Sequence, residues 1–186
     1  MVRLGKIDKE FNLMNTFVQN NYKNSSEWQS VCEIAEALDT YLQSSDIQEK
    51  ISLANVPGAR SQEIQDIFLV EALRLGFIDE SQGLFGDYTN NRLRPDYFLA
   101  LPNGSGIILE VERGKTNQNN MDFLDFWKCH ICTHAHYLFI MVPYELRQNN
   151  SGRVVGRPYK TVSDHFSSFF MPKNYTNVRG AVVFGY

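Results

Sequence analysis

Two short apolar runs constrain this chain more than any other feature. Ile107-Ile108-Leu109 lies within Gly106–Glu112, and the run 137–142 is apolar throughout. Each is too short for a helix. Each is also too continuous for a strand with one wet face, which would alternate apolar and polar residues. Both are therefore expected as strands covered on both sides, and a sheet of such strands needs helices on its two faces.

Around them the pattern supplies those helices. Ser26 and Gln29 have capping-box spacing, and Val31, Ile34, Ala35, Leu38 and Leu42 follow at helical intervals. Weaker helical patterns lie at about 8–20 and 46–54. Pro57-Gly58 then stops the pattern, dividing a helical N-terminal extension, residues 1–56, from a core, residues 57–186. In the core, a helix is expected from Ser61 through Ile64, Ile67, Phe68, Ala72 and Leu75 to Gly76, followed by a turn-rich stretch at 79–92. The runs 94–100 and 106–112, joined by Leu-Pro-Asn-Gly-Ser, read as a β-hairpin. A helix at about 120–133, the strand at 137–142, a helix at 161–170 and a last strand at 178–186 complete the order. The fold class is α/β, a mixed sheet flanked by helices. A chain of 186 residues with 43% hydrophobic residues can fill such a core.

No apolar run approaches the roughly 20 residues that span a bilayer, and the N-terminus lacks the apolar stretch of a signal peptide, so the expectation is a cytoplasmic protein. Cys32, Cys129 and Cys132 are an odd number and read as reduced thiols. The net charge of −3 makes no general case for nucleic acid. It is uneven, however: residues 144–186 hold six basic side chains against two acidic ones. Arg153, Arg157 and Lys160 are the first choices for phosphate contacts, with DNA as the expected partner.

The chemistry is expected at the hairpin. Residues two apart on a strand share a side, so Glu110 and Glu112 project together. Among apolar neighbours two such carboxylates repel each other and resist burial unless a cation neutralises them. Asp96 lies near Glu110 if the hairpin closes through 102–105. Three carboxylates would then form an oxygen-rich site suited to Mg²⁺ or Mn²⁺. The alternative is a solvent face on which Glu110 and Glu112 pair with Arg94, Arg113 or Lys115.

Pro95-Asp96, thirteen intervening residues and Glu110-Val-Glu112 together resemble the signature of the PD-(D/E)xK nuclease superfamily, restriction-endonuclease-like proteins, over about residues 61–143. The resemblance implies a restriction-endonuclease-like core and a metal-dependent endonuclease of restriction or defence type acting on DNA. It implies Asp96 and Glu110 as metal ligands, Glu112 as ligand or general base, and a ligand from the preceding helix. That last residue is Glu63, with Glu71 its competitor on burial grounds. The chain departs from the signature where Glu112 replaces the family's Lys. The missing positive charge would come from Lys115, or from Lys128 beside the apolar stripe of Leu124, Trp127 and Ile131. Cutting both strands of a duplex would call for a homodimer. The competing expectation is a nuclease-fold protein without catalysis that binds nucleic acid or protein.

The segment 129–136 has the composition of a zinc site, with Cys129, His130, Cys132, His134 and His136. On one helix end these residues point in different directions, so packed thiols and a histidine-rich C-terminus are expected instead.

Overall fold

The computed structural model describes residues 14–55, 61–79, 83–89, 93–113, 120–148 and 150–186. Its centre is a six-stranded sheet built from β1 (Met14–Val18), β2 (Ile78–Asp79), β3 (Tyr97–Ala100), β4 (Gly106–Val111), β5 (Tyr137–Val142) and β8 (Gly180–Gly185). The strand order is β1-β8-β5-β4-β3-β2. Strands β4, β5 and β8 run parallel, and the other pairings are antiparallel. Between β5 and β8 the chain forms a separate two-stranded ribbon, β6 (Leu146–Arg147) with β7 (Val154–Gly156).

Side-chain alternation on the buried strands sorts the core into two halves. Ile107, Leu109, Val111, Phe139 and Phe184 point toward α1 (Ser26–Gln43), α2 (Ser45–Ala54) and α3 (Ser61–Arg74). Ile108, Leu138, Ile140 and Val183 point the other way, toward α4 (Met121–Ile131) and α5 (Pro158–Phe169). All six residues in each of β4, β5 and β8 are buried, as strands covered on both faces must be, and Glu110 of β4 is buried with its apolar neighbours. The result is helices on both faces of a mixed sheet.

The N-terminal segment differs from expectation. Residues 14–18 of the expected helix at 8–20 are strand β1, paired along its length with β8, so the described part of the extension is not all helical. Strand pairing overrides a weak helical pattern here. The next helix starts as the sequence suggests, but Ser25 rather than Ser26 caps it, accepting a hydrogen bond from the Trp28 amide. The boundary at Pro57-Gly58 lies outside the described residues.

The hairpin that carries the site is fixed by its turn. Gly104 has φ of 78°, a conformation disfavoured for residues with a Cβ, and the Leu101 amide donates to the Ser105 carbonyl to close the loop. Tyr97 thereby pairs with Leu109 and Ala100 with Gly106. Asp96 then falls beside Glu110, one step beyond the last pair.

Candidate active site

The C-terminal ends of β4, β5 and β8 face one end of the sheet, because the three strands are parallel. In open α/β sheets this is the end where crevices form. Glu110 stands there on the α4 side of the sheet, since its neighbour at the same phase, Ile108, belongs to that half of the core.

Asp96 and Glu110 are locked together through the backbone. The Asp96 amide donates to Glu110 Oε2 at 3.1 Å, and the Val111 amide donates to Asp96 Oδ2 at 2.8 Å. The Gln65 side chain, on α3, also hydrogen-bonds to the Asp96 carboxylate. The remaining Glu110 oxygen, Oε1, accepts from Lys128 Nζ at 2.7 Å. Lys128 Nζ also lies 2.8 Å from Asp125 Oδ1. Lys128 is thus the charge partner of Asp125 Oδ1, while Asp125 Oδ2 has no hydrogen-bond partner among the described residues.

Two carboxylates, Glu110 and Asp125, thus hold one ammonium in a nearly dry place, with half-buried Asp96 beside Glu110: Glu110 is 3% exposed, Asp125 0% and Lys128 7%. Burial pushes the Glu110 carboxyl well above its ordinary value, the Asp125 charge adds to the effect, and the Lys128 ammonium opposes it. Burial likewise raises Asp125 to about 6, against the pull of Lys128. Asp96 is raised by burial, although the Val111 amide and Lys128 favour its charged form. Burial works against the Lys128 charge, but Glu110 and Asp125 outweigh it and raise the ammonium above its usual value. Ionising all three carboxyl groups is unfavourable with one ammonium to share, and a further cation would favour their charged forms.

The other expected residues are placed differently. Glu112 follows the end of β4 and is half-buried; its amide donates to the Met141 carbonyl and its own carbonyl accepts from Tyr186 Oη at 2.7 Å. Because regular strand geometry ends at Val111, strict alternation no longer governs its side chain. Among the described residues no three His, Cys, Asp or Glu side chains converge as a ligand set, so Asp96, Glu110 and Glu112 do not close on one point. Glu63 is exposed on α3. Glu71 is buried but is held by Arg74 through two hydrogen bonds, of 2.8 and 2.5 Å. The α3 side chain that reaches the site is Gln65. Lys115 lies outside the described residues. Arg153, Arg157 and Lys160 are exposed; Arg157 Nε approaches Glu145 at 3.6 Å, and Lys160 pairs with Asp164 at 2.5 Å.

Helix α4 turns a different face inward from the one its pattern suggests. Leu124 and Trp127 are 38% and 45% exposed, whereas Asp122, Asp125, Lys128 and Cys129 are buried. Asp122 Oδ2 meets His165 Nδ1 of α5 at 2.6 Å. Nothing in the apolar stripe pointed to Asp122 and Asp125. The available signal was their spacing with Lys128, three residues apart each time, which places all three on neighbouring positions of one helical face. In the segment with zinc-like composition, His130 Nδ1 faces Thr176 Oγ1 at 3.0 Å and His136 Nδ1 faces Ser105 Oγ at 2.8 Å, while the two thiols are buried.

The donor set suits a hard divalent cation. Mg²⁺ is commonly bound by one or two carboxylates, with water and substrate phosphate filling its remaining positions, and Asp96 and Glu110 supply two such carboxylates. No helix among the described residues is long and apolar enough to cross a membrane. Comparisons with models of known protein families and with curated proteins find no match, so the residues themselves carry the functional reading.

Proposed function

We propose that the protein is a Mg²⁺-dependent endonuclease acting on DNA, with Asp96 and Glu110 as the metal ligands and Lys128 in place of the missing motif lysine. The observation that carries this reading is the Asp96–Glu110–Lys128 arrangement, in which Glu110 and Lys128 are buried and Asp96 is half-buried. Two carboxylates from adjacent strands are held edge to edge by main-chain amides, and an ammonium is delivered to them from a neighbouring helix. Such a group costs stability, because taking charges out of water can outweigh the gain from pairing them, and arrangements that carry this cost cluster at functional sites.

The bound cation would supply Lewis acidity and lower the pKa of an attacking water. The chain's own part is positioning. The Val111 amide and Gln65 orient the Asp96 carboxylate, and the Asp96 amide orients Glu110. Lys128, charged and close to both ligands, is placed to stabilise negative charge that builds on a phosphate in the transition state. The fold agrees with the resemblance at the level of a mixed sheet flanked by helices, and restriction-endonuclease-like topology is part of the proposal. So is a homodimer, which would present two such sites to the two strands of a duplex.

Incubation with supercoiled plasmid and Mg²⁺ or Mn²⁺ tests the reading: nicked and linear forms should accumulate, and EDTA should stop the reaction. Binding of DNA without cleavage under any metal condition would instead favour a nuclease-fold binding module.

The ribbon of β6 and β7 and the start of α5 follow the C-terminal end of β5, so Arg153, Arg157 and Lys160 lie in the connection leaving the end of the sheet that holds Glu110. If they contact phosphates, replacing all three with Ala should lower the dependence of log K on log salt by about three units, near one per contact. Fluorescence anisotropy over a salt series measures this. A wild-type slope in the triple variant would remove the segment from the DNA interface.

A further inference from the structure

On α4, Asp122, Asp125 and Lys128 are buried while Phe123, Leu124 and Trp127 are partly in water, although Phe126, Cys129 and Ile131 pack on the core. A helix that buries three charged side chains at the expense of three apolar ones breaks the usual packing rule. Lys128 explains part of it. Asp125 is the unexplained part: it is fully buried, its Oδ2 is without a hydrogen-bond partner among the described residues, and its Oδ1 lies against Lys128 Nζ at 2.8 Å. As a contribution to stability this is poor, since an apolar residue of similar size would avoid the desolvation cost.

We propose that Asp125 is a positioning residue, which retains the Lys128 ammonium within the site when Glu110 turns to a divalent cation. This rests on the reading of Asp96 and Glu110 as metal ligands. In the structure Lys128 is shared, with Glu110 Oε1 on one side and Asp125 Oδ1 on the other. Glu110 Oε2 already accepts the Asp96 amide, so Oε1 is the more open atom for a cation, and it is the atom Lys128 occupies. A divalent cation and an ammonium on the same oxygen repel each other. When the cation binds, Lys128 gives up Glu110, and Asp125 is the carboxylate that still holds it. The ammonium therefore remains beside the ligands, where a phosphate arrives, instead of competing for Glu110. Without the Asp125 charge, Lys128 would fall back on Glu110 and oppose the metal.

A double-mutant cycle read by Mn²⁺ titration calorimetry, with no DNA present, tests this. Asp125→Asn should weaken Mn²⁺ binding by roughly tenfold, a coupling typical of residues in one charged network. In a Lys128→Met background the same change should have less than about a twofold effect, because no ammonium is left to misplace. Asp125→Glu should recover most of the wild-type affinity. An equal loss in both backgrounds would mean that Asp125 acts on the metal directly, and no loss in either would mean that it has no part; each overturns the inference and leaves the metal site standing. Absence of Mn²⁺ binding by the wild type overturns the inference and the metal site together. If Lys128→Met does not fold, Lys128→Gln replaces it. Should that fail as well, the ammonium ¹⁵N resonance of Lys128 decides: with Mg²⁺ it should stay protected from exchange in the wild type and lose protection in Asp125→Asn. Equal protection in both overturns the inference.

Discussion

Glu110→Gln is expected to lower metal-dependent DNA cleavage by on the order of 10³-fold or more, the several kcal/mol that a metal's charge contributes to such a transition state. The substitution is nearly isosteric. A side-chain amide oxygen can still accept the hydrogen bond from the Asp96 amide, so the hairpin should keep its form. What is lost is the negative charge that holds the cation. Cleavage should be followed over a range of Mn²⁺ concentrations, with circular dichroism as the control for folding. Wild-type cleavage by a folded Glu110→Gln protein would remove Glu110 from the ligand set.

Lys128→Ala should produce the largest loss of stability. Removing one partner of a buried ion pair typically costs about 3–5 kcal/mol, because the carboxylates left behind have neither water nor a counter-charge. The loss should depend on pH, and its sign follows from the raised carboxyl groups. Burial raises Glu110 well above its ordinary value and Asp125 to about 6. A folded state with raised carboxyl pKa values binds more protons than the unfolded chain between the two values, so its stability falls as pH rises through that window. In the variant, without the opposing ammonium, this fall is steeper. Urea denaturation in EDTA should therefore show a larger deficit relative to wild type at pH 7.5 than at pH 5. An equal deficit at both would mean that Lys128 contributes packing rather than neutralisation.

The parts of this molecule that were legible in the sequence are those in which one local pattern decides the outcome. The unbroken apolar run of β5 required burial on both faces, and its limits, Tyr137–Val142, are those expected. The juxtaposition of Asp96 and Glu110 followed from the length of the hairpin loop. Strand β1 was not legible, because Met14–Val18 becomes a strand by pairing with β8, far away in the chain. The helix contribution to the site was not legible either. Glu63, Gln65 and Glu71 lie on different faces of α3, and which of them reaches Asp96 depends on how the helix lies across the sheet, a quantity absent from any local pattern. On α4 the hydrophobic stripe was a misleading guide, since Leu124 and Trp127 are partly in water while Asp122 and Asp125 are inside.

The pairing of β1 with β8 also bears on how the chain reaches this structure. Met14 lies against Phe184, so the outermost ladder joins residues separated by nearly the whole described sequence. Closing so long a loop is entropically costly and returns little until the intervening strands are in place, which makes β1 a late arrival in folding. Until it docks, β8, whose residues are all buried in the finished sheet, presents an open apolar edge of the kind that recruits strands from other molecules. Refolding yield should accordingly fall with protein concentration.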